Sequence, residues 1–191
     1  MGNPLSTHVH AADEPVGGLH QYLSFLLQGE AYAIDILHIR EIIEYGQVTT
    51  VPMVPRFLRG VINLRGAVVP VIDLNIRFGR EPSAIDRRTC IVIVETRLDD
   101  ETHVFGLTVD AVTAVLDIST EDLEPPPTFG SSIRPDYITA MAKQDERFLI
   151  LLNLPRVLSW DDWNMLRRIQ HSETDTGEHP GQRSGPALPP V

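Results

Sequence analysis

The chain has 191 residues, 42% apolar and 22% charged, which excludes a wholly disordered protein and suits one compact domain or two closely packed subdomains. Its formal net charge of -10 argues against nucleic acid and anionic lipid as partners, because an acidic surface repels phosphate. A single cysteine, Cys90, excludes an internal disulfide and fits a reducing compartment.

Residues 1–18 mix Gly, Pro, His and acids without periodicity and read as a flexible N-terminal tail. They hold no basic cluster followed by an apolar stretch, so no secretory signal is expected. No segment is apolar over a membrane-spanning length, and a cytoplasmic location is the expectation. The folded region is expected over 19–170. Tyr22–Leu27 reads as a strand, Gly29-Glu30 as a hairpin turn and Ala31–Ile34 as the returning strand. In Asp35–Glu44, Ile36, Ile39 and Ile43 fall on one stripe with Asp35 placed to cap it, so a helix is predicted. Pro55–Leu58 suits a single turn. Gly60–Leu64 and Ala67–Leu74 read as strands around the tight turn Arg65-Gly66. Gly60 marks a conformation or a close approach that a side chain would block. Pro70 cannot donate to a ladder and predicts an edge strand or a bulge.

The polar stretch Gly79–Arg88 is the expected division between two halves, roughly 19–80 and 81–170, with exchange of a strand or helix between them allowed for. Thr89–Glu95 is β-branched and continuous, which predicts a central strand buried on both faces. Cys90 within it reads as a buried structural thiol. An acidic turn at Asp99-Asp100-Glu101 leads into the strand Val104–Val109, and Phe148–Leu152 is the last clear strand. Trp160, Trp163, Leu166 and Ile169 then repeat every three residues. Ser159 and Asp162 resemble a capping box with a short acid, while Asp161 and Asp162 open and Arg167 and Arg168 close the segment. This predicts a short amphipathic helix docked on the chain's own strands, with a partner as the other reading. Residues 171–191 read as a flexible C-terminal tail. Short strands at this spacing predict a mainly β barrel or sandwich.

No stretch carries a pattern for chemistry. Phosphate-cradling loops, dinucleotide fingerprints, nucleophile elbows and helical zinc pairs are all missing from the sequence. His8 and His10 alternate within the N-terminal tail, and neither His38 nor His103 has a nucleophile close in sequence. Asp99-Asp100 and Asp161-Asp162 sit where turn chemistry and helix dipoles account for them. No catalytic, cofactor-binding or metal-binding residue is assigned, and the expectation is a binding module rather than an enzyme.

The informative segment is Val51–Asp73. It carries Pro52-x-x-Pro55-x-Phe57-x-x-Gly60-Val61-x-Asn63-Leu64-Arg65-Gly66-x-x-Val69-Pro70-Val71-x-Asp73-Leu74. This closely resembles the signature of the CheW family of chemotaxis coupling proteins. The resemblance extends to Tyr22–Glu44 upstream, and to Gly106–Val112 and Leu149–Leu154 downstream. Two positions depart from the family pattern: Asn75 stands where an arginine is usual, and Ala140 where a glycine is common.

The resemblance implies two intertwined five-stranded SH3-like β-barrel subdomains with a few short helices, no enzyme activity and no cofactor. It implies binding to the regulatory domain of a CheA-type histidine kinase through barrel ends, and to the signalling tip of a methyl-accepting chemoreceptor through a groove between the barrels. Nucleic acid and direct membrane insertion are not expected; recruitment to membrane-associated receptor arrays is. By the same resemblance Arg65 is the family's signature arginine and Glu41 the acid of the preceding helix, expected as an ion pair that fixes the helix against the turn, with either single change costing more than an exposed pair where the pair is partly buried. Two readings stand for that pair: a structural brace, or a direct partner contact. Ile39 and Val61 are candidates for an apolar groove or for core. Gly60, Asn63 and Gly66 complete the expected interface-fixing set. The function expected is an adaptor coupling kinase to receptor. The alternatives are an adaptor in a non-flagellar chemosensory pathway, and a small barrel enzyme or oligonucleotide-binding fold.

Overall fold

The computed structural model describes residues 18–128, 130–144 and 146–172. Apart from Gly18, His171 and Ser172, the two expected tails lie outside them. Among the described residues, eleven strands run in the order β1 Leu19–Leu27, β2 Glu30–Asp35, β3 Ile39–Glu44, β4 Leu58–Leu64, β5 Ala67–Asp73, β6 Cys90–Leu98, β7 Glu101–Val109, β8 Ala111–Ser119, β9 Leu123–Glu124, β10 Ile138–Gln144 and β11 Arg147–Leu152. The α-helices among the described residues are α1 Leu74–Arg77, between β5 and β6, and α2 Leu154–Val157 and α3 Trp160–Ser172, which follow β11. None of the described helices is long and apolar enough to cross a membrane.

The strands form two curled sheets. One is six-stranded in the order β8-β1-β2-β11-β10-β9, and the other five-stranded in the order β3-β6-β7-β5-β4. The mainly β fold of two intertwined units is therefore as the resemblance implied, with one sheet carrying a sixth, two-residue strand. The division of the chain is different. β3 to β7 form a single insertion between β2 and β8, so a cut at Gly79–Arg88 falls inside the five-stranded sheet.

Each sheet has two working faces. Val92 and Val94 of β6, Phe105 and Leu107 of β7 and Ile72 of β5 point into a large core shared with Leu23, Phe25 and Leu27 of β1 and Tyr32 and Ile34 of β2. The alternate residues Ile91, Ile93, Val69 and Val71 fill a separate core within the five-stranded unit. Ala33, Ala140, Ala142, Leu149 and Leu151 do the same in the six-stranded one. This is why Ile91–Val94 is an unbroken apolar run: each face meets a different core. Cys90, at the start of that strand, is half-buried, and its thiol donates to the Arg88 carbonyl at 3.3 Å.

Tight turns set the registers. Gln28 and Gly29 join β1 to β2 with φ of +49° and +81°, so the turn lies one residue earlier than expected. Arg65 and Gly66 join β4 to β5 with φ of +53° and +86°, and Asp99 and Asp100 join β6 to β7 with φ of +49° and +63°. Two positive φ values in a two-residue loop match the twist of antiparallel strands.

Asp35–Glu44 is not a helix. Asp35 caps a single 3-10 turn, Ile36–His38, and accepts from the Leu37 amide at 2.9 Å. The chain then enters β3, paired with β6. Its burial alternates strictly, but a half-buried position falls to Glu41 and an exposed one to Ile42, so the apolar pattern does not follow the pleat, while Ile39, Ile42 and Ile43 are β-branched residues that favour a strand. Pro70 is not on an edge either, since β5 lies between β4 and β7. It faces Val61, whose own N–H and C=O bond Thr49, and it precedes the β5–β7 ladder, which begins at Val71. A donor at residue 70 would have no ladder to join.

The α1 end of the insertion is tied to the six-stranded half by polar contacts. Arg77 donates to the Val157 carbonyl at 2.6 Å, pairs with Asp162 at 3.1 Å and lies over the Phe57 ring at 4.9 Å. Arg80, Tyr32 and Ser132 all donate to the Glu30 carboxylate. Burial pushes the Glu30 carboxyl upward, but those donors outweigh it and hold the group below its usual range. Tyr32, in the same cluster, is pushed up to about 12, mainly by burial.

Helix α3 forms as expected, with a completed capping box. The Ser159 amide donates to Asp162 at 2.8 Å and the Asp162 amide donates to Ser159 Oγ at 3.2 Å. Trp163 and Leu166 are buried, whereas Trp160 is 55% exposed. Trp163 packs edge-on to Phe105 at 5.1 Å and against His103 at 4.9 Å. Burial pushes the His103 imidazole below the usual 6.5, Glu101 pulls it up and Arg167 pushes it down. A depressed folded value favours the neutral ring. Its stabilising contribution is complete above about pH 6.5 and is lost as pH falls through the folded value. The unfolding midpoint of the whole protein should therefore drop as pH falls below about 6.5, and His103→Phe should flatten part of that slope in a thermal-melt series.

Candidate partner-binding site

Arg65 occupies the first position of the β4–β5 turn, where a positive φ suits Gly or Asn better than a long side chain. The turn is braced locally, because the Gly66 amide donates to Asn63 Oδ1 at 2.9 Å. The guanidinium reaches across to β3 and donates to both carboxylate oxygens of Glu41, at 2.7 and 2.9 Å. The expected ion pair is thus present and bidentate, but Glu41 presents it from a strand and not from a helix. Its burial is uneven. The Arg65 side chain is 77% exposed and that of Glu41 25%. Solvent reaches the guanidinium, so the pair contributes about 0–1 kcal/mol to stability.

The pair stands in an open depression of about 720 Å3. Ala67, Val68, Val69 and Val104 give it an apolar floor, and Arg40, Glu41, Arg65 and His171 give it a charged and polar rim. All of its lining belongs to the five-stranded half and α3, so it is not a groove between the two halves. Of the expected interface-fixing residues it gathers Glu41, Asn63, Arg65 and Gly66. Ile39 packs instead against the shared core, and Val61 is 7% exposed. Gly60 has φ +147°, and a Cβ there would lie 2.0 Å from the Thr49 carbonyl oxygen, so its role is close approach of backbone. Arg40, Thr102, Val104, Gln170 and His171 were not foreseen. Arg40 is adjacent to Glu41, but the others arrive from β7 and α3 and leave no local signal.

The two departures from the family pattern are internal. Asn75 is fully buried and donates to Ser83 Oγ at 2.8 Å, so no surface charge is lost there. Ala140 is buried in β10 beside a register shift. A second concavity, of about 880 Å3, lies on the six-stranded half. Leu26, Ala31, Ile138, Met141, Phe148 and Ile150 line it, and Phe148 is 52% exposed. It shares no residue with the first. Among the described residues, no three His, Cys, Asp or Glu side chains come together to hold a metal ion.

Two interleaved curled sheets, with a braced arginine turn on one of them, define a β-rich domain with open surface depressions and no gathered metal ligands among the described residues. A family model, the CheW-like domain, matches residues 21–162, and the chain belongs to that family. It is 35% identical over 168 residues to Chemotaxis protein CheW of Klebsiella aerogenes, covering 88% of this chain and 98% of that protein. It is 28% identical over 122 residues to Protein FrzA of Myxococcus xanthus, covering 63% of this chain and 74% of that protein. The crystal structure of scaffolding protein TtCheW from Thermoanaerobacter tengcongensis superposes with a TM-score of 0.68 at 32% identity, covering 80% of this chain and 95% of that one. The resemblance read from Val51–Asp73 is borne out, and these relatives place the chain among chemotaxis adaptors.

Proposed function

We propose that this protein couples a CheA-type histidine kinase to the signalling tip of a methyl-accepting chemoreceptor, working in the cytoplasm at membrane-associated receptor arrays and performing no chemistry itself. The observation that carries this reading is Arg65, held bidentately by Glu41 on an exposed turn above an apolar floor. A charge fixed in place at so small a gain in stability is better explained by a partner than by the fold. The apolar concavity on the other half leaves a separate surface for a second partner, as an adaptor requires.

The test is calorimetric titration of the full chain with a kinase regulatory domain and with a soluble receptor-tip fragment from the same genome. Arg65→Asn suits the turn, so it should unfold within about 0.5 kcal/mol of wild type while weakening receptor binding roughly tenfold. Failure of the wild type to bind either partner would remove the proposal. The match to FrzA supports a second reading, the same adaptor in a non-flagellar pathway. Deleting the gene separates them: lost migration in soft agar supports the first, and normal swimming with altered surface motility the second.

A further inference from the structure

The imidazole of His103 stands between two sets of groups with opposite demands. His103 is 7% exposed, on β7, where α3 lies against the β6–β7 hairpin. From the hairpin it faces acids and an acceptor: Glu101 on its own strand, Asp99 in the turn and the Leu98 carbonyl. The residue opposite it on β6 is Thr96, which carries no charge. From the helix it faces a donor and a cation. The Trp163 ring lies 4.9 Å away, and its indole Nε1 is buried with no acceptor among the described residues. Arg167 follows one turn later and pairs with Glu101 at 3.1 Å. His171, near the end of α3, lines the same small depression of about 280 Å3, and its Nδ1 bonds the Arg167 carbonyl at 2.7 Å.

We propose that a proton on His103 loosens α3 from the hairpin while both sheets stay folded, so that the docking of this helix is sensitive to acid. A neutral ring suits both sides of the seam. An imidazolium does not: Trp163 Nε1 and Arg167 donate and neither accepts, so α3 offers the added N–H no partner. The new cation also competes with Arg167 for Glu101, and that pair is one of the ties of the helix. The other ties are the Gln170 Nε2 bond to the Val104 carbonyl at 2.9 Å and the buried side chains Trp163 and Leu166. The first turn is held elsewhere, with Asp162 paired to Arg77 at 3.1 Å, so a loosened α3 stays tethered to the domain. Burial keeps the imidazole below its usual value, in keeping with surroundings that favour the neutral ring. The contribution to docking is complete above about pH 6.5 and is lost as pH falls through the docked value, at most about tenfold per pH unit. Gln170 and His171 also line the depression around Arg65, so loosening α3 opens that depression on one side. The inference stands apart from the coupling function.

Amide hydrogen exchange of the full chain, corrected for the intrinsic rate at each pH, reads this opening even where it is rarely populated. The amides of residues 164–170 should be less protected than those of β1 and β6, and their protection should fall about fivefold to tenfold between about pH 7.5 and 5.5. In His103→Phe, which keeps a ring and takes no proton, the fall should be under about twofold. His103→Gln serves as the proton-free variant if phenylalanine does not fold. His171 is present throughout, so its own titration cancels in the comparison. Equal protection of α3 and the two strands means that the helix opens only with the whole domain, and it overturns the inference. So does protection of α3 that is unchanged across this range, the result if the indole face holds the imidazolium by a cation–π contact. An equal fall with and without His103 overturns it as well.

Discussion

Replacing Asp73 with alanine should lower the unfolding free energy by about 3–5 kcal/mol in a urea titration. Asp73 is fully buried at the end of β5. One oxygen accepts from Arg59 Nε at 2.9 Å, from Arg59 Nη2 at 2.6 Å and from the Ser83 amide at 3.1 Å. The other accepts from the Asn75 and Ile76 amides at 2.9 and 3.2 Å, which caps α1. One carboxylate thus satisfies a half-buried guanidinium, a helix start and the loop that returns to β6. Alanine leaves every one of those donors without its acceptor and Arg59 without its counter-charge. A loss under about 1 kcal/mol would mean that the loop relaxes to satisfy these donors with water.

Gly60→Ala should cost about 2–6 kcal/mol, from overpacking of about 1–3 and backbone strain of about 1–3. The added methyl would sit 2.0 Å from the Thr49 carbonyl oxygen, and the residue has φ +147°. That oxygen cannot move away cheaply, because it accepts from the Val61 amide at 2.8 Å and so covers the outer edge of β4. Gly66→Ala is the control. Its φ is +86°, but no atom lies within 4 Å of the new methyl, so only the conformational cost of about 1–2 kcal/mol remains. Equal losses in the two variants would show that the contact with Thr49 is not what glycine protects.

The strand-rich fold was legible wherever a run of residues met one kind of surroundings. Thr89–Glu95 announced a strand buried on both faces because both faces do meet core. Arg65-Gly66 announced a hairpin because Gly66 accepts a positive φ and two apolar runs flank the pair. β3 was misread because Ile36, Ile39 and Ile43 mimic a helical stripe, while Glu41 on the half-buried face and Ile42 on the exposed one break the apolar period of two. The site was only half legible, and the half that was came from family likeness. Glu41 and Arg65 are 24 positions apart, and no periodicity within either strand pairs them. Gln170 reaches Val104 across 66 positions, a distance at which sequence spacing carries no information. Asp73 and Arg59 sat inside the signature itself. Even so, their pairing depends on how β4 and β5 are offset and on Ser83, which lay in a stretch read as a mere divider.

The insertion of one sheet within the other separates the order of synthesis from the order of assembly. The β1–β2 hairpin leaves the ribosome first, yet the strand that flanks β1 on its other side is β8, and the parallel neighbour of β2 is β11. Between them the whole of the inner sheet emerges as one contiguous stretch and can fold as it is made. The nascent hairpin has to wait with its apolar face and both outer edges uncovered. It is the point at which a neighbouring polypeptide could pair in place of the correct strand, so chaperone demand should concentrate there and not on the inner sheet.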